Sequence, residues 1–282
     1  MSIIEIDNLT RDYGDGKGIF NISFEVNEGE VFGFLGPNGA GKTTTIRHLM
    51  GFIKSRSGKC TINGMDCWKN AEKIHQNLGY IPGEISFFDD MTGTEYLNFI
   101  ANYRKISPEN RQKELIERFE LNPKGKIKKM SKGMKQKIGI VAAFMHDPEI
   151  LVLDEPTSGL DPLMQNRFIN LIEEEKNRGK TILLSSHMFE EVERTCDRIG
   201  IIRSGKLVAV DSVEALRKRH LHTYTVTLDT PDIAEAFAKD FGGTCDGARV
   251  TLSATQSLEN IFMNYYEDTS SLSTEQMREI GG

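Results

Sequence analysis

The sequence predicts an α/β fold in three parts: an antiparallel β portion first, then a mostly parallel sheet covered by helices, then a small α+β appendage. Short apolar runs at 31–35, 150–153 and 181–184 alternate with stretches of helical spacing, the pattern of parallel strands buried on both faces. The opening residues instead alternate apolar with polar at period two, as a half-buried sheet does. Near residue 219 composition and pattern both change. Residues 1–221 carry 32 Lys and Arg against 31 Asp and Glu, whereas residues 222–282 carry 3 against 10.

Taken in order, Ile4, Ile6 and Leu9 mark one strand and Ile22, Phe24 and Val26 a second. The buried run 31–35 leads through a glycine-rich stretch into a helix over 43–50. Residues 58–64 read as a hairpin strand ending at Asn63-Gly64, a strong turn signal. Helical spacing returns at 94–104 (Tyr96, Leu97, Ile100), at 109–121 (Leu115, Ile116, Phe119) and at 131–146. A further helix over 164–177 separates the last two buried strands. Beyond Arg219, a strand through Tyr224, Val226 and Leu228 precedes a helix opened by Pro231. A strand at Val250 and Leu252 and a helix at 258–265 complete a β-α-β-α unit. The expected organisation is a main domain over 1–219, with a helical subdomain at about 86–146, an appendage over 220–268, and a polar tail over 269–282 that frays.

The 282 residues suffice for one large domain and an appendage. With 35 Lys and Arg against 41 Asp and Glu the net charge is −6, which argues against a general nucleic-acid binder held by phosphate contacts. No apolar run approaches the roughly 20 residues of a membrane-spanning helix, and the opening MSIIEIDNLT has no secretory pattern. Any work at a membrane therefore needs a separate spanning partner. The four cysteines lack metal-ligand spacing, so reduced thiols are expected.

The chemistry lies in two local patterns. Gly36-Pro37-Asn38-Gly39-Ala40-Gly41-Lys42-Thr43 fits G-x-x-x-x-G-K-[ST] between a buried strand and a helix. Such a loop turns backbone N–H groups and a positive helix end toward a phosphate. Lys42 would reach the β- and γ-phosphates, and the Thr43 hydroxyl would hold Mg²⁺. The second pattern is the apolar strand 150–153 ending in Asp154 and Glu155. Adjacent strand residues point oppositely, so the two acids are expected to divide the work. One binds Mg²⁺ through Thr43 and water; the other orients or deprotonates the attacking water.

Together with these motifs, the order of several weaker ones makes residues 1 to about 219 resemble the nucleotide-binding subunit of an ABC transporter. Met130-Ser131-Lys132-Gly133-Met134, whose serine lies 23 residues before Asp154, stands where that family has its signature, usually LSGGQ. Ser158-Gly159-Leu160-Asp161 resembles its D-loop, and Ser185-Ser186-His187 its switch histidine. Tyr13 resembles the aromatic that stacks on adenine. The resemblance implies a P-loop NTPase fold and an ATPase in which Glu155 and His187 are catalytic. Thr43 and Asp154 would hold Mg²⁺. Tyr13, residues 36–43 and Thr44 would bind ATP, and Ser131, Gly133 and Asp161 would meet the nucleotide of a second subunit in a head-to-tail pair.

Likeness in residues 32–47, 87–98 and 257–262 points to ATPases of drug, antibiotic and polysaccharide exporters. It implies a site on the cytoplasmic face of a membrane beside a separate permease. A soluble ABC ATPase acting on DNA or ribosomes is the alternative, though only 112 residues separate Lys42 from Asp154, too few for the long coiled coil of chromosome and repair members. A catalytically weak regulatory subunit is another, suggested by two departures. Tyr80-Ile81-Pro82-Gly83-Glu84 places glycine where the family has a glutamine that contacts Mg²⁺ and water. Lys132 replaces a signature glycine, either adding charge near the partner's γ-phosphate or pointing to solvent. Hydrolysis is expected to survive both. The basic run Lys124, Lys126, Lys128, Lys129, Lys132, Lys135 and Lys137 reads as a solvated face, with attraction to anionic lipid headgroups or nucleotide steering near the signature as the alternatives.

Overall fold

The computed structural model describes residues 1–255 apart from Asp89, Pro108, His220 and Gly242. The chain divides into two compact units, Met1–Asp211 and Ser212–Gly282.

The first unit opens with β1 (Ser2–Gly14) and β2 (Lys17–Asn27). Next come β3 (Val31–Leu35), α1 (Lys42–Leu49), β4 (Ser57–Ile62) and β5 (Met65–Asp66). β2, β1, β4 and β5 lie in that order as an antiparallel sheet. Its apolar spacing of 4, 6 and 9 has a local cause. The β1–β2 register shifts between Ile6 and Leu9, where Asn8 takes a φ of 49°, and this irregularity returns Leu9 to the buried face. The Asn63-Gly64 turn closes β4 onto β5 with both residues at positive φ.

α2 (Ala71–Gln76) and β6 (Leu78–Ile81) lead into α3 (Gly93–Arg104), α4 (Glu109–Arg118) and α5 (Lys132–Phe144). α3 starts with a reciprocal cap: Glu95 N–H donates to Thr92 Oγ1 and Thr92 N–H to Glu95 Oε2. β7 (Ile150–Asp154), α6 (Pro162–Asn177), β8 (Thr181–Ser186), α7 (Phe189–Thr195), β9 (Arg198–Arg203) and β10 (Lys206–Ser212) follow. The second sheet has the order β10-β9-β3-β8-β7-β6, and its β9, β3, β8, β7 and β6 pair in parallel. Every residue of β3, β7 and β8 is buried, as strands covered on both faces require. Phe24 of the first sheet stacks on Phe32 of the second at 4.9 Å between ring centroids. Ile46 and Leu49 of α1 join the same apolar core.

That register brings the carboxyl ends of four segments together. Leu35 lies opposite Ser186, Asp154 opposite Ser185, and Ile81 opposite Leu153. Open α/β sheets bind ligands at this edge.

The second unit begins with α8 (Val213–Arg219), ahead of the composition shift near residue 219. β11 (Leu221–Thr227), α9 (Pro231–Phe241), β12 (Thr244–Asp246) and β13 (Arg249–Thr255) complete its described part. They form an antiparallel sheet in the order β11-β13-β12, with Ala234 and Ala238 of α9 buried beside Val250. The expected β-α-β-α order is thus corrected by an extra strand. β12 is three residues long and exposed, so it carries no apolar run to betray it. The helix expected at 258–265 and the tail at 269–282 lie outside the described residues.

Candidate nucleotide site

β3 ends at Leu35 and α1 begins at Lys42, so the glycine-rich residues form the turn between them. The turn needs its glycines: Gly39 has φ 80° and Gly41 φ 115°, and a Cβ on Gly41 would lie 2.7 Å from Ile19 Cγ2. A cavity of about 440 Å³ opens over the loop, lined by Tyr13, Lys17, Gly18, residues 37–39 and 41–44, and Glu155. Gly36 and Ala40 of the loop do not line it; Gly36 supplies a carbonyl to Lys42 instead. Tyr13 falls within β1, not after it, with half its surface exposed and the Arg11 guanidinium 5.2 Å from its ring centroid.

Lys42 is 4% exposed and rests on protein groups. Its Nζ donates to Gly36 O at 2.5 Å and Pro37 O at 3.2 Å, and lies 3.0 Å from Glu155 Oε1. The contact with Glu155 is an ion pair by distance, without the alignment of a hydrogen bond. The other oxygen, Oε2, is 2.5 Å from His187 Nδ1. A carboxylate only accepts, so Nδ1 carries the proton there. His187 directly follows β8 and is half exposed.

Asp154 and Glu155 do diverge, but not through strand pleating. β7 ends at Asp154, and Glu155 turns left-handed at φ 49°, its N–H held by Ser185 O and Ser185 Oγ at 3.1 Å each. Asp154 is fully buried. Its Oδ1 accepts from Ser185 Oγ at 2.5 Å, while Oδ2 has no partner among the described residues. A Cβ on Gly83 would lie 3.0 Å from that Oδ2 and 3.7 Å from Thr43 Oγ1. A bare buried carboxylate oxygen beside a hydroxyl suits a hard cation. Among the described residues no group of three or more His, Cys, Asp or Glu could hold a metal. This donor set therefore suits an ion such as Mg²⁺, which keeps water and phosphate oxygens as most of its ligands.

Ser131, Gly133 and Asp161 do not line this cavity. Ser131 Oγ caps α5 by accepting from Met134 N–H at 3.2 Å, and Asp161 Oδ1 caps α6 by accepting from Met164 N–H at 3.0 Å. Lys132 is exposed, and its Nζ donates to Ser158 Oγ at 2.8 Å. Lys124, Lys126, Lys128 and Lys129 are exposed.

The sequence reading passed over Glu191. This side chain is 2% exposed, and its Oε2 accepts from Ser186 Oγ at 2.6 Å and Thr157 Oγ1 at 3.3 Å. Oε1 is unpartnered among the described residues, and burial pushes the carboxyl up to about 7 against the pull of the two hydroxyls. The available signal was its place beside Val192, on the apolar side of a seven-residue helix.

Residues 19–158 match the family described as ABC transporter. The linearmycin resistance ATP-binding protein LnrL of Bacillus subtilis (strain 168) is 37% identical over 240 residues, 83% of this chain and 77% of that protein. The chain belongs to the ABC transporter family. As an ABC ATPase it binds and hydrolyses ATP on a P-loop fold. The bacitracin transport ATP-binding protein BcrA of Bacillus licheniformis is 40% identical over 222 residues, 78% of this chain and 72% of that protein. A solved structure described as the ATP binding subunit of an ABC transporter superposes with a TM-score of 0.71 at 32% identity, over 77% of this chain and 93% of that one. No helix among the described residues is long and apolar enough to cross a membrane.

Proposed function

We propose that this chain is the ATP-hydrolysing subunit of an exporter, paired with a second ATP-binding subunit on the cytoplasmic face of a membrane and docked to a separate permease. The observation that carries the chemistry is the Lys42–Glu155–His187 chain beside the unpartnered Asp154 Oδ2. Lys42 would leave Glu155 for the β- and γ-phosphates, which the N–H groups of residues 38, 39 and 41–44 would cradle. Adenine would stack on Tyr13. Thr43 and Asp154 would hold Mg²⁺, which neutralises charge on the phosphates.

Glu155, freed from Lys42, is then the base. It takes a proton from the attacking water as that oxygen bonds to the γ-phosphorus, and ADP leaves with the electron pair of the broken bridging bond. His187 holds Glu155 in place through its Nδ1–H. The pair is supported by Ser131, Gly133 and Asp161, which carry the family's phosphate-facing motifs yet stand apart from this chain's own cavity. Export is supported by the names of LnrL and BcrA, a resistance and a transport ATP-binding protein.

The test is purification of the full chain from membranes, with identification of what accompanies it, and ATP turnover of the complex beside Lys42→Ala. A polytopic membrane protein and turnover abolished in the variant are expected. A soluble chain with no membrane partner overturns the exporter reading, and unchanged turnover in Lys42→Ala overturns the site.

A further inference from the structure

Glu191 is a buried carboxyl that does not line the P-loop cavity, and burying such a group is costly unless it is well bonded. Its Oε2 collects hydroxyls from two separate segments. Ser186 Oγ, 2.6 Å away, belongs to the last residue of β8 and directly precedes His187. Thr157 Oγ1, 3.3 Å away, lies two residues after Glu155. Ser186 Oγ also accepts from Met188 N–H at 2.9 Å, so this one hydroxyl braces the backbone on both sides of His187. On the other segment Ser158 N–H donates to Glu155 O and Leu160 N–H to Thr157 O, which makes 155–160 a hydrogen-bonded turn. Ser185 fixes the entry to that turn through the Glu155 N–H, and Glu191 holds it at Thr157. The 2.5 Å contact between Glu155 Oε2 and His187 Nδ1 therefore spans two segments that Glu191 joins.

We propose that Glu191 is a positioning residue that sets the spacing of Glu155 and His187 by holding Ser186 and Thr157 on one oxygen. The inference rests on the proposed function, in which Glu155 is the base and His187 steadies it. Both of those residues stand just past strand ends, β7 for Glu155 and β8 for His187, where pairing in the sheet no longer fixes the backbone. Two hydroxyl bonds to one buried atom supply the missing constraint. A carboxyl oxygen has two lone pairs, enough for both hydroxyls. Misplacing a catalytic group by about 1 Å can cost about a hundredfold in rate, so this constraint acts on turnover more than on affinity.

Variants of the full chain test it, with KM and kcat measured separately. Glu191→Leu removes the acceptor, so kcat should fall about tenfold to a hundredfold. KM should stay within about twofold of the parent's, because Glu191 does not line the P-loop cavity. Glu191→Gln keeps a carbonyl oxygen for both hydroxyls and should recover most of that loss. Ser186→Ala and Thr157→Val each remove one arm and should each lower kcat about threefold to tenfold. In the Glu191→Leu background neither should lower it further, since the arm has already lost its post. The single-arm variants carry the test should Glu191→Leu fail to fold. A merely structural role would lower the folded fraction and leave kcat per folded site alone. Parent-like kcat in Glu191→Leu or in both single-arm variants, a Gln variant as slow as the Leu variant, or additive losses overturn the proposal. Glu155→Gln is measured beside them. Turnover near the parent's in that variant overturns the reading beneath, and the positioning role with it; its expected loss beside unchanged Glu191 variants overturns the positioning role alone.

Discussion

Glu155→Gln should bind ATP more tightly while losing turnover, and both effects can be sized from the site. Lys42 Nζ lies 3.0 Å from Glu155 Oε1, with the two side chains 4% and 16% exposed. At an effective dielectric of about 20 the Coulomb attraction at that distance is about 5 kcal/mol, before the cost of desolvation. Contacts to a charged group contribute a net of about 1.5–3 kcal/mol. ATP must overcome that contact to recruit Lys42, and it must also approach the negative charge of Glu155. The amide removes the charge, while Gly36 O and Pro37 O still steady the ammonium. The lower end of the range is therefore expected, about tenfold tighter binding. Loss of the base should lower kcat by about 10²–10⁴. Equilibrium titration with ATP and steady-state phosphate release measure the two quantities independently. Affinity equal to or weaker than the parent's would refute competition by Glu155 for Lys42. Turnover close to the parent's would refute its role as base.

Two further perturbations address residues around this chain of contacts. Burial raises Glu191 from an ordinary 4.5 to about 7, so between those values the folded chain holds a proton that the unfolded chain has lost, and stability falls as pH rises. Glu191→Gln removes that loss and should be more stable than the parent by about 1–3 kcal/mol at pH 8, with the gain shrinking toward pH 5; denaturant midpoints at both pH values decide it, and a pH-independent difference counts against it. Gly83→Gln would set its Cβ 3.0 Å from Asp154 Oδ2 and carry an amide into the proposed Mg²⁺ and water site. It should raise kcat about fivefold to thirtyfold with KM little changed, and an unchanged or lower kcat would mean that the position is already compensated.

What was legible in the sequence was local. The P-loop is eight consecutive residues, and Val31–Leu35 and Lys42–Leu49 flank it as the motif requires. The buried strands announce themselves because covering both faces leaves an unbroken apolar run. β9 escaped notice because Arg198 and Arg203 enclose only four uncharged residues, one of them glycine, and α7 because seven residues show barely two helical turns. The site's electrostatics were less legible still, since they depend on approaches between distant segments. Nothing near Lys132 in the chain indicates that Ser158, 26 residues on, accepts its hydrogen bond. Likewise the left-handed turn at Glu155, which aims its carboxylate at Lys42 and His187, is fixed by Ser185 on the neighbouring strand.

The site sets two unequal electrostatic demands. Lys42 and Glu155 satisfy one another, so each can be given up for a better partner at modest cost. Asp154 has no such arrangement: Ser185 occupies Oδ1, and Oδ2 is left bare in a fully buried position. An unpaired buried carboxylate oxygen is costly, and a lysine that turned to it would abandon the P-loop carbonyls. Under the proposed function, a phosphate chain that brings its own cation would meet both demands together, the anion taking Lys42 and the cation taking Asp154 Oδ2 and Thr43. ATP without the cation would pull Lys42 from Glu155 and leave two carboxylates facing the phosphates. Under the proposed function, the same arrangement bears on the glycine at position 83. The Cβ position there is within 3.3 Å of both Asp154 Oδ2 and Cγ, and a vacancy in that place leaves room for water to complete the cation's coordination.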